Sequence, residues 1–508
     1  MTDDRERMTR GEFRSAALLA LAAGVLAGLA VQLHYLGWTS IPGNSCGKFR
    51  PCPDGTTPTL VLAFLFSFAG VPLVRAVFLA RKTPRGRVVT ALVVAAGATA
   101  ALWPGWLFFS WVRGDVADVV WTAPHDRPSS VRAQGSWPLD DAVIRVRSDA
   151  LAAYGAEDGD RRWRVEAPAR ETVCAMSDTT RDGVAVVAFQ RHEAPCDTVW
   201  GVDPRTGDVR WKRSLGATRG QPGATDGRLA VDRGTVVALV DDTVRGLGAR
   251  DGKPRWTTAL DPGCAPVLTS AAGGRTRVLA QCAEDNLFSA ELLILDTATG
   301  KEQGRQKLPV EQRLTTARVV AAEPFTLWLK EEDERGLDAV LAFGADGGDG
   351  ADGGDPVTVP LASDEEDLVV APGYSGFDAR PALLATVSGE TLVVASRKPG
   401  DDYPEALSAF SLRDGTRLWH QGIGGEVEAV TRVDGRNVAA YADGGRARAR
   451  LWTLDSVSGD RREDDGVSIH DDDRRVGSYP GLIPVSGDRW VLVNADGDED
   501  PPLLGLRR

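Results

Sequence analysis

Histidine, tyrosine and methionine are scarce in this 508-residue chain, at 5, 6 and 3 copies. The five His form no HExxH motif and no paired cluster. None of the six Cys sits in a CxxC, so the spacings of a zinc site are missing. There is no phosphate-binding P-loop and no kinase signature. Positive charge is also short: 59 Lys and Arg face 71 Asp and Glu, a net charge of −12. The imbalance is uneven. Residues 1–113 carry a net +7, which leaves −19 on the remainder. A nucleic-acid partner needs a cationic surface, and the acidic body excludes one. Few Lys and Met beside much Ala, Arg, Gly and Asp is the composition expected of a high-GC bacterial genome.

Long apolar runs, in contrast, are present. Three lie before residue 113: 15–33, 59–80 and 88–109. Each is near the roughly 20 residues that cross a hydrocarbon core as a helix. The short loop "RKTPRGR" between the second and third holds Arg81, Lys82, Arg85 and Arg87. Such a loop is retained in the cytoplasm, which puts the N-terminus there too and everything after Val112 outside. Arg75 is placed to snorkel at the inner end of the second span. Trp103, Trp106 and Trp111 are placed to form an outer aromatic belt, with Pro104-Gly105 as a potential kink. Two further spans follow the first, so it reads as a retained anchor and not a cleaved signal peptide. The expected organisation is a cytoplasmic tail (1–14), a three-helix membrane segment (15–112) and an extracytoplasmic domain (113–508), in a multi-pass protein of the cell membrane.

The six Cys fall into sequence-local pairs, Cys46 with Cys52, Cys174 with Cys196, and Cys264 with Cys282. All lie on the expected outer side, where disulfides persist. Of the 15 possible connectivities the local one is preferred. Cys174 and Cys264 each follow a Trp-bearing strand, and Cys196 and Cys282 each precede an Asp-Gly motif. Two similar units stapled in the same way are therefore expected.

The body repeats. "GVDPRTGDVRW" (201–211) has counterparts in "AAYGAEDGDRRW", "RGLGARDGKPRW" and "SAFSLRDGTRLW". In each, a Trp follows the turn Gly by four residues: Gly159/Trp163, Gly207/Trp211, Gly252/Trp256 and Gly415/Trp419. Copies at Gly300 and Gly459 keep the turn without the Trp, and a worn copy ends at Gly347. Successive turn glycines are 48, 45, 48, 47, 68 and 44 residues apart. A period in the middle forties, filled with short Val- and Ala-rich runs, gives four strands per unit, a β-propeller blade. The Asp and Gly shape the hairpin before the last strand, Gly supplying positive φ. The Trp then packs between adjacent blades.

The recurring Ala/Val-x-Asp-x-x-Thr-Gly-x-x-x-Trp resembles the repeat of the pyrroloquinoline-quinone-type (PQQ-like) propellers, over roughly residues 115–508. The resemblance implies an all-β ring after the three transmembrane helices. That family includes quinoprotein dehydrogenases, the lipoprotein propeller of the outer-membrane assembly machine, and sensor-like domains. Three strands after Gly459 lack a fourth. "DVVWTAPH" (118–125) looks like a closing strand, so eight blades are expected, with Trp121 in the last; seven is the alternative. The 68-residue spacing implies an insertion around "GADGGDGADGGDP" and "SDEED".

Other candidates have plainer explanations. Asp346, Asp349, Asp352 and Asp355 lie in an acidic Gly-rich loop without the tandem copies of calcium-binding nonapeptides. "NADGDED" (494–500) lacks the Gly and closing Glu of a calcium loop. "GNSCG" (43–47) matches GxSxG but not on a strand-to-helix elbow. The resemblance implies, for a quinoprotein, a cofactor on the axis over a Trp floor, a calcium ion and often a disulfide between neighbouring Cys. No adjacent Cys pair is present, and blade packing accounts for the repeat Trp residues. The expectation is a non-catalytic binding or scaffold module for a protein, peptide or envelope ligand, with no cofactor and no metal. The alternatives are a PQQ- and calcium-dependent dehydrogenase, and a sensor working with a separate partner, since about fourteen cytoplasmic residues are too few for an output domain.

Overall fold

The computed structural model describes residues 10–41, 55–81, 83–114, 116–126, 128, 131, 133–192, 194–218, 227–285, 287–333, 335–343, 355–371, 384–443, 449–468, 477, 479–486, 488–495 and 500–508. Cys46, Cys52, "GNSCG", Gly347, Asp346, Asp349 and Asp352 lie outside them. The chain divides into a helical unit and a larger β unit.

The helical unit consists of α1 (Arg10–Thr39), α2 (Thr56–Leu79) and α3 (Pro84–Arg113). All three are long and apolar enough to cross a membrane. α1 and α3 overrun their apolar runs at both ends and α2 at its start, because flanking polar residues continue the backbone hydrogen bonding. Thr83 caps α3: its hydroxyl accepts from the Gly86 N–H at 3.2 Å, and Pro84 takes the first turn, where no N–H is needed. Large apolar side chains point outward, among them Phe64, Phe68, Trp103 and Trp111. Small residues point inward. A Cβ on Gly24 would fall 2.2 Å from the Val94 carbonyl oxygen, and one on Gly28 would fall 2.4 Å from that of Ala98. "GVLAG" is thus a GxxxG stripe that lets α1 and α3 touch backbone to backbone. His34 Nε2 meets Ser67 Oγ at 3.2 Å, linking α1 to α2.

The β unit is an eight-bladed propeller. Blades 1 to 5 are four-stranded antiparallel sheets spanning 133–166, 172–214, 229–259, 264–307 and 314–360. Blade 6 (367–422) has a fifth strand: Asp367–Val369 and Ala385–Ser388 both pair with Thr391–Arg397. Part of the long spacing is spent there, around the "SDEED" segment. Blade 7 spans 426–468. Blade 8 is built from both ends of the unit: Gly481–Ser486, Arg489–Val493 and Leu503–Arg507 are completed by β1 (Val116–Thr122). Trp121 stands opposite Gly505 in that pairing. β1 also adjoins the last strand of blade 7, so blades 7 and 8 form one eight-stranded sheet. The edge that an open ring would expose is thereby covered.

Inner and middle strands such as Ala142–Arg147 and Thr235–Val240 are buried throughout. They lie between two neighbouring blades, so both faces must be apolar. Outer strands such as Arg161–Glu166 are half exposed and charged. The core is accordingly distributed among the seams. One cluster joins blades 1 and 2 through Val146, Phe189 and Trp200. Another joins blades 8 and 1 through Tyr154, Ile483 and Val491.

The two described disulfides are Cys174–Cys196 and Cys264–Cys282. They are not the identical staples expected. Cys264 and Cys282 are direct cross-strand partners on the first two strands of blade 4. Cys174, on the first strand of blade 2, reaches Cys196 in the loop between the second and third strands. The spacings, 22 and 18 residues, look alike because blade 4's second strand runs longer and carries its Cys within the sheet.

Candidate functional site

The repeat residues meet at the seams. Each described turn glycine of the motif has positive φ, between 64° and 79°. In the copy at 203–208, the Asp203 N–H donates to the Asp208 carbonyl at 2.8 Å and the Gly207 N–H to the Asp203 carbonyl at 2.9 Å. The same pair of bonds recurs at Gly159, Gly252, Gly300, Gly415 and Gly459. The repeat Asp also accepts inside its turn: Asp203 Oδ1 from the Arg205 N–H (2.9 Å), and Asp296 Oδ1 from the Thr299 N–H (2.9 Å). Burial pushes the Asp203 carboxyl up, but the Arg205 N–H and the Arg210 guanidinium outweigh it and hold the group below the usual carboxylate range.

Each seam Trp belongs to one blade and meets the turn Gly of the next. A Cβ on Gly207 would lie 2.8 Å from Trp163, on Gly252 2.5 Å from Trp211, on Gly300 2.3 Å from Trp256, and on Gly459 2.8 Å from Trp419. Trp121 fills the same position against Gly159, at 2.3 Å, which sets the ring closure in register with the repeat. Within its own blade each indole stands opposite a small cross-strand partner: Gly505, Ala153, Gly201, Gly246 or Ala409. Where the copy is worn, in blade 5, Val357 and Thr358 lie under Gly415 instead.

These indoles are therefore clamped on both faces. The other five Trp of the β unit are engaged as well. Lys212 lies 3.7 Å over Trp200, Arg461 3.9 Å over Trp452, and Arg318 and Arg508 5.9 Å over Trp328 and Trp490. The Trp137 indole donates to the Ser177 carbonyl at 2.8 Å. Among the described residues, no Trp of the β unit is left as a bare floor for a quinone. One His/Cys/Asp/Glu grouping of metal-binding size occurs among them, Cys264, Cys282 and Glu291. Its sulfurs are joined in a disulfide and Glu291 binds Arg305 at 2.9 Å, so it offers no open ligand set.

Two polar clusters have no mark in the sequence. At the ring closure, Asp126 follows β1 and is 6% exposed. It accepts from Arg145 Nη1 at 2.6 Å and Tyr154 Oη at 2.7 Å, with Arg147 Nη1 at 3.3 Å. Arg147 also grips Asp149 with two bonds, at 2.8 and 2.9 Å. Burial would raise the Asp126 carboxyl; the Tyr154 hydrogen bond and the two guanidinium groups overcome this and lower it. Burial and the adjacent Asp126 charge push the Tyr154 phenol up.

In blade 6, Ser408 Oγ and Glu366 Oε2 lie 3.0 and 3.1 Å from Nδ1 of His420. The residue types are those of a hydrolytic triad, but the arrangement is not. A triad places hydroxyl and carboxylate on different ring nitrogens. Here both meet the same one, and Ser408 is 0% exposed. Arg417 Nη1 binds Glu366 at 3.1 Å, so the cluster anchors the segment leading into blade 6 to that blade's outer strands.

A cavity lies between blades 1 and 2. Its volume is about 540 Å³, within the usual range for ligand pockets. It is lined by the first turn of blade 1 (138–142), by the Pro204–Arg205 turn of "GVDPRTGDVRW", and by Ala153, Arg162, Trp163, Thr180 and Gly183. The 180–183 segment is tied to blade 3: Asp182 accepts from the Gly234 N–H at 2.6 Å, and Arg181 pairs with Asp232 at 3.4 Å.

A family model described as outer membrane protein assembly factor BamB matches residues 117–260 and, in an overlapping placement, 182–327. No curated protein matches the chain. Among solved structures it is similar to BamB from Moraxella catarrhalis (16% identity, TM-score 0.45, covering 77% of this chain and 99% of that one). It is also similar to a europium-containing methanol dehydrogenase (12%, TM-score 0.45, 74% and 84%). A third is quinohemoprotein alcohol dehydrogenase from Comamonas testosteroni (11%, TM-score 0.43, 77% and 76%). Over residues 117–327 the chain carries the PQQ-like repeat of that family model, within an eight-bladed β-propeller that three membrane-length helices precede.

Proposed function

We propose that this protein is a non-catalytic binding module: a propeller held at the cell membrane by three helices, facing away from the cytoplasm and docking a protein, peptide or envelope ligand. The observation that carries this reading is the double clamping of the seam tryptophans. The residues that recur in the repeat are used up in holding blade to blade, which leaves the turns and inter-blade grooves to bind. Two disulfides support an oxidising compartment, and the basic 81–87 loop supports a cytoplasmic N-terminus.

The test is photo-crosslinking in intact cells with a probe amino acid at exposed turn positions such as Arg205 and Asp140. Recovery of one dominant partner or envelope component supports the reading. Saturable PQQ and calcium binding with dye-linked alcohol oxidation by the detergent-purified chain overturns it.

A further inference from the structure

The groove between blades 1 and 2 differs in one respect from the three seams closed by Trp211, Trp256 and Trp419. Trp211, Trp256 and Trp419 each donate their indole N–H to a carbonyl of the next blade, those of Ala249 (2.8 Å), Thr297 (3.1 Å) and Ser456 (2.9 Å). Each acceptor lies three residues before the turn glycine. Pro204 holds that place in blade 2, yet Trp163 makes no such bond. Trp121 at the ring closure makes none either; of the two, Trp163 lines the cavity, and so does Pro204. An indole N–H is a donor only, and an open groove is where it can meet a ligand acceptor.

The charges point the same way. Four ionic side chains line the groove: Asp140, Asp141, Arg162 and Arg205. Arg162 and Asp141 face each other at 3.5 Å, a loose exposed pair. The Arg205 guanidinium and the Asp140 carboxylate have no hydrogen bond or ion pair among the described residues. The turn that carries Arg205 is fixed, since its backbone N–H is bound by Asp203 at 2.9 Å, while its side chain is exposed. The Asp140 turn is fixed by the Leu139 N–H donating to the Ala142 carbonyl at 2.8 Å, and by the Ala156 N–H donating to that of Asp141 at 3.0 Å. One exposed cation and one exposed anion, each on a fixed turn, and Trp163 thus line a ligand-sized cavity.

We infer that this groove binds a small zwitterion of amino-acid or short-peptide type, its carboxylate received by Arg205 and the Trp163 N–H and its ammonium group by Asp140. A simple anion would meet Asp140, and a simple cation would meet Arg205; a ligand carrying both charges satisfies both.

The inference deepens the binding-module reading and rests on it. The test is calorimetric titration of the full chain in detergent with alanyl-alanine, N-acetyl-alanyl-alanine and alanyl-alanine amide. Saturation by the free-ended dipeptide at or below about 1 mM is expected, with each cap weakening binding at least about tenfold. In Arg205→Gln the amide should bind as well as the free acid. In Asp140→Asn the acetylated form should bind as well as the free amine. Both positions are exposed, so the folded state is kept. Absence of saturation, capped and free peptides within about twofold of one another, or variants that keep both sensitivities would each overturn the inference. Crosslinking to a partner in cells with no dipeptide binding would remove the groove assignment while leaving the binding-module reading intact.

Discussion

Trp211 and Gly252 belong to successive blades, and the indole of one occupies the space that a side chain on the other would need. A Cβ on Gly252 would fall 2.5 Å from the ring, and the glycine also has φ of 64°. Gly252→Ala therefore adds overpacking to backbone strain and should cost about 3 kcal/mol or more. Gly400 has a φ of 89° with no atom within 4 Å of its absent Cβ. Gly400→Ala should show only the strain, about 1–2 kcal/mol. Urea unfolding of the two variants separates the contributions.

The ring closure depends on Trp121 lying between Gly505 and Gly159. Trp121→Ala should destabilise by about 3–5 kcal/mol, the usual range for a large aromatic lost from a packed site. It should also sensitise the chain to limited proteolysis near Thr122 before cleavage appears in blades 3 to 5. Uniform cleavage across the ring would show that the closure is no weaker than the other seams.

Asp126 gives the closure a pH dependence. Its carboxyl lies below the unfolded value. Its contribution is therefore complete above the unfolded pKa of about 4 and is lost as pH falls through the folded value. Asp126→Asn leaves Arg145 and Arg147 buried without their shared anion, at a cost of about 3–5 kcal/mol near neutrality. The stability gap between wild type and variant should hold from pH 5 to 8 and narrow below about pH 4. A gap that widens in acid would contradict the assignment.

The disulfides close loops of similar size, 22 and 18 residues apart in sequence. Cys174→Ala/Cys196→Ala and Cys264→Ala/Cys282→Ala should each lose about 3 kcal/mol. Dithiothreitol should destabilise the wild type and leave a variant lacking both pairs, and also Cys46 and Cys52, unchanged.

In the helical unit, Gly28→Leu places a side chain where the Ala98 carbonyl oxygen stands, 2.4 Å from the built Cβ position. α1 and α3 must then separate, and thermal aggregation in detergent should begin at a lower temperature than for Ala27→Leu.

Periodicity made the propeller legible. The glycine–tryptophan spacing is local, and four residues suffice to put a turn and a buried ring in each blade. The eighth blade was readable from Trp121 for the same reason, since the "DVVW" context matches the outer strands. What stayed hidden was non-local. Asp126 reaches Arg145 and Arg147, which look like ordinary surface cations in "VIRVRS" until the fold buries them. Ser408, His420 and Glu366 come from three segments of blade 6 that no motif connects. "GVLAG" was readable in principle, as a small-residue stripe inside an apolar run. The groove at Trp163 was not, because it depends on an indole failing to make a bond that Trp211, Trp256 and Trp419 make.

β1 has a temporal consequence. It is among the first parts of the β unit to be synthesised, while its partner strand, Leu503–Arg507, follows roughly 380 residues later. At about 5–20 residues per second, that is roughly 20 to 80 s in which β1 has no sheet to join on that side. Seven blades can assemble in order while this strand waits. A ribosome that stalls anywhere before residue 503 releases a chain with an unpaired edge at blade 8, so completeness of synthesis is read out by the same strand pairing that completes the ring.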